Sequence, residues 1–454
     1  MSLLESTSIP PEELENIEIM SLGPAVRPST FFLQERQYIE ETRKVSFFVE
    51  EKDVRYYTDR QRLPPLFEIA GPRKLIYFDP AALTCAIVTC GGLCPGLNDV
   101  IRSLTLTLLK QYGVKRVLGF RYGYQGLGKQ AVCPPIELTP ERVDGIQHAG
   151  GSILGTSRGA PPLAEQIETL AAHAVGILFV IGGDGTFQGG HALAQEIARR
   201  QLNISVIGIP KTIDNDIYAT ETTFGFATAV EEARRVLAAA HTEAMAVHNG
   251  VGLVKLMGRD SGFIAAAAVL ANSDANFCLI PEVPFRLQGP GGLLDVLEKR
   301  LPRKRHAVIV VAEGAGQHLV PPTLERRRDS SGNLRPYDIG LFLRTELERY
   351  FKERQIPLVI RYFDPSYSIR SCPTDAQDAM YCLTLGQMAA HAGMAGKTDM
   401  FISSWNHRLI HVPFSLAMGK RRKINTDGVI WLSLQSILEP LAAEPGTVDA
   451  LAPQ

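Results

Sequence analysis

Apolar and polar positions alternate along the chain in blocks. Residues 176–181, GILFVI, are a short β-branched apolar run of the kind that becomes a buried strand. The run ends in Gly182, Gly183, Asp184, Gly185 and Thr186, a turn with almost no side-chain bulk. Residues 191–200 have helical composition and spacing, and residues 204–209 are a second apolar strand closed by Pro210. Strand, glycine turn, helix and strand predict a βαβ unit in a parallel sheet. The rhythm recurs upstream: CAIVTC over 85–90 predicts a buried strand, and Gly91, Gly92 and Gly96 lead into a helix from about Asn98. Val100, Ile101, Leu104, Leu108 and Leu109 give that helix one apolar face. Downstream, a helix over 227–240 leads into a second α/β region with strand-like runs at 251–256, 277–280 and 306–312 and a helix over 341–352. Residues 317–338 are charged and turn-rich without periodicity, which predicts a mobile loop, and the Ala- and Pro-rich tail from Glu439 is expected to fray.

Composition narrows the class. The chain has 454 residues, enough for two or three domains with a large core. Hydrophobic content of 45% is that of an ordinary globular protein, and a formal net charge of −1 implies no general nucleic-acid surface. Acidic substrates must then be gripped by individually placed arginines. No apolar run approaches the roughly 18 residues of a membrane helix, and the acidic first 20 residues do not resemble a signal peptide. Seven scattered cysteines without zinc spacing read as free thiols of a reducing cytoplasm. Cys90 and Cys94 flank the first glycine loop and read as buried small residues, with redox sensitivity as the alternative.

Ligands of parallel α/β sheets bind at the carboxyl ends of the strands. Here those ends carry polar residues: Asp184 after the first strand, then Lys211, Thr212, Asp214, Asn215 and Asp216 in the stretch PKTIDND. Bare glycines let backbone N–H groups approach phosphate oxygens. Phosphoryl transfer also needs a metal, a cation and a base beside the attacking hydroxyl. Asp184 and Asp216 are the candidate Mg²⁺ carboxylates, Lys211 the cation and Asp214 the base. Arg158, in the flexible loop GGSILGTSRG, is placed to bridge a donor phosphate. Arg259 suits a sugar phosphate, and Gly258 before it permits close backbone approach. Glu313 can accept sugar hydroxyls, and Arg361, Tyr367 and Arg370 suit a phosphorylated sugar.

GGDGT together with PKTIDND resembles the phosphofructokinase superfamily. GGDGT alone also resembles NAD kinases and diacylglycerol kinases; PKTIDND points to phosphofructokinases. At least five motifs in family order, from about Thr84 to Pro413, resemble the long-chain ATP-dependent members of plants and protists. The resemblance implies an α/β fold of two Rossmann-like parallel-sheet domains with the active site in the cleft between them, plus an N-terminal extension. It implies that fructose 6-phosphate and a phosphoryl donor give fructose 1,6-bisphosphate, with Mg²⁺ as cofactor and ATP as co-substrate. Carried over by position, Asp214 is the base, Thr212 lies beside the transferring phosphate, and Lys211 and Arg259 complete the catalytic set. Gly92, Arg158, Gly183, Gly185 and Thr186 bind the donor, and Asp184 and Asp216 hold the metal. Thr212, Asp214, Met257, Gly258, Arg259, Glu313, Arg361, Tyr367 and Arg370 form the sugar-phosphate site. Arg361 matches an arginine that reaches across a subunit boundary, which implies a homo-oligomer, a tetramer or dimer. Two departures concern short bacterial enzymes: Gly250 stands where they carry another cross-subunit arginine, and Leu106 replaces the second of two effector arginines, Arg102 matching the first.

The expected organisation is an N-terminal extension over 1–80, a phosphoryl-donor domain over 81–225 to which 370–420 returns, a fructose 6-phosphate domain over 226–369, and a C-terminal segment over 421–454. The extension, broken by prolines and rich in charge, reads as a surface wrap or oligomer contact. Gly185 favours ATP over pyrophosphate, since an Asp there would occupy the space of an α-phosphate. Lys211 is a feature more usual of pyrophosphate enzymes and leaves that donor as the alternative. A non-catalytic nucleotide-binding subunit is the competing class.

Overall fold

A computed structural model describes residues 14, 17–31, 34, 37–320 and 336–442. Most of the loop 317–338 and the end of the tail lie outside the described residues.

Two sheets carry the fold. The larger contains β1 (Thr84–Thr89), β2 (Arg116–Phe120), β3 (Ile136–Leu138), β4 (Val175–Gly182) and β5 (Ser205–Pro210). The smaller contains β6 (Gly250–Leu256), β7 (Phe277–Leu279), β8 (His306–Ala312) and β9 (Val359–Phe363). The chain then returns to the larger sheet with β10 (Met400–Trp405) and β11 (Arg408–Pro413). Strand order is β11-β10-β5-β4-β1-β2-β3 in the first sheet and β7-β8-β6-β9 in the second. The five inner strands of the first sheet and all four of the second are parallel, and β3 and β11 close the first as antiparallel edges. β1, β4, β5 and β6 are buried along their whole length, as parallel strands covered on both faces must be.

The principal helices are α1 (Leu97–Leu106), α2 (Leu163–Ala172), α3 (Asp184–Arg199), α4 (Phe226–Met245), α5 (Phe263–Asn272), α6 (Leu293–Lys304), α7 (Ile339–Glu353), α8 (Ala376–Met394) and α9 (Val429–Gln435). The apolar face expected of α1 packs into the main core. α3 begins at Asp184, directly out of the glycine turn, and not near residue 191 as composition suggests. Its first two turns hold three glycines, which disfavour helix intrinsically; packing overrides this, with Phe187 stacked on Phe401 at 4.7 Å and tilted against Phe414 at 5.0 Å. The start of the tail is also anchored, contrary to the expectation of fraying. Glu439 N–H donates to Asn276 O (2.9 Å), its carboxylate meets Arg300 Nη1 (2.5 Å), and Ala442 N–H donates to Gly291 O (2.8 Å).

Residues preceding β1 wrap the larger sheet. Lys44–Ser46 pairs with Leu66–Glu68, and Ile69 bridges to Ile410 of β11. Phe67 is fully buried, and Phe47 lies 4.5 Å from the Trp405 ring while its carbonyl accepts from Trp405 Nε1 (2.7 Å). A charged seam joins wrap to core. Lys397 Nζ contacts Glu68 and Glu41, each at 3.0 Å, and the fully buried His411 donates from Nδ1 to Glu68 Oε2 at 3.3 Å. Burial opposes the charged form of Glu68, yet His411 and Lys397 together hold its carboxyl down at about 2. Burial pushes His411 below the ordinary histidine range, against the pull of Glu68.

Glu68→Gln should therefore destabilise the protein by about 2 kcal/mol, the range for hydrogen bonds to charged groups. Because folding lowers this carboxyl's pKa, its contribution is complete above the unfolded value near 4.5 and is lost as pH falls towards about 2. Thermal melting of wild type and variant across pH tests this. The gap should close over that window, and a gap unchanged down to the acid limit would show that the carboxylate charge is not its source.

Candidate active site

The carboxyl ends of both sheets face one cleft. β5 delivers Lys211 and the turn that follows. Lys211 N–H continues the strand to Gly182 O (3.0 Å), and its Nζ donates to Gly92 O (2.6 Å), joining the two glycine loops. The amine is buried, which lowers its proton affinity, while Cys94, Cys90 and Asp214 oppose that shift. Cys90 and Cys94 are themselves buried, and burial pushes the Cys90 thiol up to about 12 and that of Cys94 further, so both stay protonated thiols.

The turn is set by Asn215, at φ 56°, whose Oδ1 accepts from Thr223 N–H (2.9 Å). Thr212 Oγ1 accepts from Asp214 N–H (3.1 Å) and donates to Asp216 Oδ1 (3.3 Å). Thr223 Oγ1 donates to Thr212 O (2.6 Å) and locks the turn from behind. Asp214 is half-buried as a residue, but its Oδ1 is sealed and has no hydrogen-bond partner among the described residues. Burial raises its proton affinity well above the carboxylate norm, Asp216, Glu313 and Asp260 raise it further, and Arg421 opposes them. Ser261 Oγ donates to Asp214 O (3.2 Å), so the smaller sheet's loop touches the larger sheet's turn directly.

At the end of β4, Asp184 opens α3, and its Oδ2 accepts from Gln188 Nε2 (2.9 Å). Gly183 is its N-cap, Thr186 is buried, and Gly185 is exposed with no atom within 4 Å of an added Cβ. Ser157 O accepts from Gly91 N–H (2.9 Å), which lays the loop of Arg158 beside the first glycine loop, with Arg158 on the exposed rim. After β6, Gly258 has φ 126° and an added Cβ there would stand 2.5 Å from Ser261 O, so the turn to Arg259 requires glycine. Met257 is half-buried and packs against the main core. Glu313 follows β8, its N–H bonded to Leu256 O (2.9 Å). Burial raises its carboxyl, against the pull of Lys255, Arg259 and Arg370. Arg370 stacks over the Tyr367 ring at 4.7 Å and would lie 3.2 Å from a Cβ on Gly92, so it reaches the first glycine loop. Tyr367 is 76% exposed. Arg361 stands apart: on edge strand β9, half-exposed, it pairs with Glu243 of α4 at 3.4 Å.

Several residues of the cleft were not anticipated. Arg421, from the C-terminal segment, faces Asp184 (3.4 Å), Asp216 (3.5 Å) and Asp260 (3.9 Å). Arg422 is buried, donates to Asn215 O (3.3 Å) and lies over the Phe263 ring. Lys255 pairs with Asp338 (2.9 Å) and Asp364 (2.7 Å) beneath the sugar loops. The one available signal for the arginines was the run of four basic residues at 420–423.

A cation fits here only as an open site. Among the described residues no group of three His, Cys, Asp or Glu forms a cage. Two carboxylates facing a cleft are instead the donor set that Mg²⁺ takes together with phosphate oxygens and water.

The family profile described as Phosphofructokinase matches residues 84–393. The chain is 48% identical over 408 residues to the ATP-dependent 6-phosphofructokinase of Borreliella burgdorferi, covering 88% of this chain and 90% of that one. It is 50% identical to the enzyme of the same name from Amycolatopsis methanolica (85% of each chain) and 46% identical to that of Trypanosoma brucei brucei (84% and 78%). Its fold is similar to that of pyrophosphate-dependent phosphofructokinase from Marinobacter aquaeolei, with TM-score 0.63 at 20% identity over 80% of this chain and 93% of that one. The chain belongs to the phosphofructokinase family.

Proposed function

We propose that the protein is an ATP-dependent 6-phosphofructokinase that transfers the γ-phosphoryl group of ATP to the 1-hydroxyl of fructose 6-phosphate in glycolysis. The observation that carries this reading is Asp214, a carboxylate with one sealed, unpartnered oxygen, seated where the donor loops and the sugar loops meet. A carboxylate whose proton affinity is raised above the ordinary range takes a hydroxyl proton more effectively than an unperturbed one. Asp214 thus accepts the 1-hydroxyl proton as the oxygen attacks phosphorus, while Thr212 holds Asp214's backbone in place.

The donor lies along Gly92, Gly183, Gly185 and Thr186, with Arg158 closing over it from the rim. Lys211 ties the two glycine loops and adds positive charge beside the transferring group. Asp184 and Asp216 would hold Mg²⁺, which when bound would offset the charge of the donor phosphates. Met257, Gly258, Arg259, Glu313, Tyr367 and Arg370 take the sugar phosphate, the arginines on phosphate and Glu313 on hydroxyls. Open space at Gly185 supports ATP as donor. Lys211 is compatible with it, since its amine is already engaged by Gly92. Arg361, outward-facing on an edge strand, supports a homo-oligomer in which it serves a neighbouring subunit's sugar site. Free cysteines support a cytoplasmic enzyme, and no described helix is long and apolar enough to cross a membrane.

Asp214→Asn should lower kcat by roughly 10²-fold or more in a coupled assay; full activity would remove Asp214 from the base role. The Cβ that Gly185→Asp introduces has open space around it and the position is exposed, so the variant should fold. ATP turnover should disappear while fructose 6-phosphate binding persists, and faster turnover of the wild type with pyrophosphate than with ATP would reverse the donor assignment. Arg361→Ala should raise the KM for fructose 6-phosphate by about tenfold or more with little change in kcat, the loss expected for one charge-assisted hydrogen bond. Unchanged kinetics would reduce Arg361 to its pairing with Glu243.

A further inference from the structure

The C-terminal segment lies beyond the residues matched by the family profile, yet it places a cation at the centre of the cleft. One guanidinium faces three carboxylates with three different nitrogens: Nη2 towards Asp184 Oδ2 at 3.4 Å, Nη1 towards Asp216 Oδ2 at 3.5 Å, and Nε towards Asp260 Oδ2 at 3.9 Å. A docked, charge-assisted pair closes to about 2.7–2.9 Å, as Arg199 does on Glu196 (2.6 Å) and Arg234 on Glu231 (2.8 Å). Arg421 makes one long hydrogen bond, to Asp184 Oδ2, and closes to that range on none of its partners. It sits among them and balances their charge collectively.

Its backbone is fixed although its side chain is loosely held. Arg421 bridges to Ile217, Arg422 N–H donates to Asp216 O (2.9 Å), and Ile424 N–H donates to Glu282 Oε1 (3.1 Å). The Arg421 side chain stays 34% exposed, so it can swing without moving the segment. Two of the carboxylates it faces, Asp184 and Asp216, are those assigned above to the metal.

We propose that Arg421 is a resident countercation, which holds the carboxylate seat until a divalent metal displaces its guanidinium. The inference rests on the assignment of Asp184 and Asp216 to the metal. Without nucleotide, a metal must compete with a tethered positive charge for both carboxylates. Donor phosphates bring additional negative charge and favour the exchange, so metal occupancy follows nucleotide arrival.

Titration calorimetry with Mn²⁺ as the probe tests this on the full-length protein. Without nucleotide, Arg421→Met should bind Mn²⁺ about tenfold more tightly than wild type, the scale on which one adjacent charge alters a carboxylate's affinity for a cation. Arg421→Lys, which keeps the charge, should remain near wild type. Arg421→Gln, which removes the charge but keeps a polar side chain, should behave as Arg421→Met does and decides the matter if the latter fails to fold. Equal Mn²⁺ affinity in wild type and the uncharged variants overturns the countercation while leaving the metal assignment intact. The assignment is checked separately in the presence of ATP, where Mn²⁺ binding by wild type should be lost in Asp216→Asn. Mn²⁺ binding that ignores Asp216 would overturn both.

Discussion

The site depends on one constraint: two carboxylates, Asp214 and Asp216, are buried two residues apart on a single turn. Extended backbone would set residues two apart on one face of a strand; here the left-handed conformation of Asn215 turns the chain between them. Asparagine tolerates this conformation better than most residues, and its side chain fastens the turn to Thr223. Burial raises the proton affinity of both carboxylates; the like charge of Asp216 adds to the shift at Asp214, and that of Asp260 to the shift at Asp216. The same crowding that is unfavourable for folding produces a carboxylate suited to proton abstraction.

The surroundings answer that charge from unexpected directions. The two parallel sheets supply the acids, because strand ends open into the cleft, but the opposing cations come from elsewhere. Arg421 and Arg422 arrive on a segment that passes behind the turn after the last strand of the larger sheet. Glu282 holds that segment through Ile424 and at the same time accepts from Gly262 N–H at the start of α5 (3.0 Å). The fully satisfied carboxylate of Glu282 thus links the smaller domain's helix to the chain's end.

At the opposite side of the larger sheet, the N-terminal wrap performs a comparable service. Its bridge from Ile69 to Ile410, its aromatic contacts with Trp405 and the Glu68–Lys397–His411 seam cover part of the edge strand β11 and its neighbour β10. An uncovered edge strand exposes unpaired backbone groups. The wrap hides part of that edge within the same chain, which is a structural use for a stretch that carries none of the catalytic motifs.

The sequence by itself determined the layered α/β architecture, the glycine loops and most of the candidate residues. Local chemistry was sufficient there: β-branched runs predict buried strands, glycine is needed where φ is positive at Gly258, and GGDGT with PKTIDND places acids at strand ends. It was insufficient where contacts span the chain. The first turns of α3 looked unhelical because glycine propensity says nothing about Phe187 packing on Phe401 and Phe414, more than 200 residues away. Glu439 looked like part of a fraying tail because its partners, Asn276 and Arg300, lie far back along the chain. Arg421 carried no sequence motif that singled it out. Only tertiary structure placed it among Asp184, Asp216 and Asp260, because the meeting of charges from distant segments is set by packing, and local pattern carries no record of it.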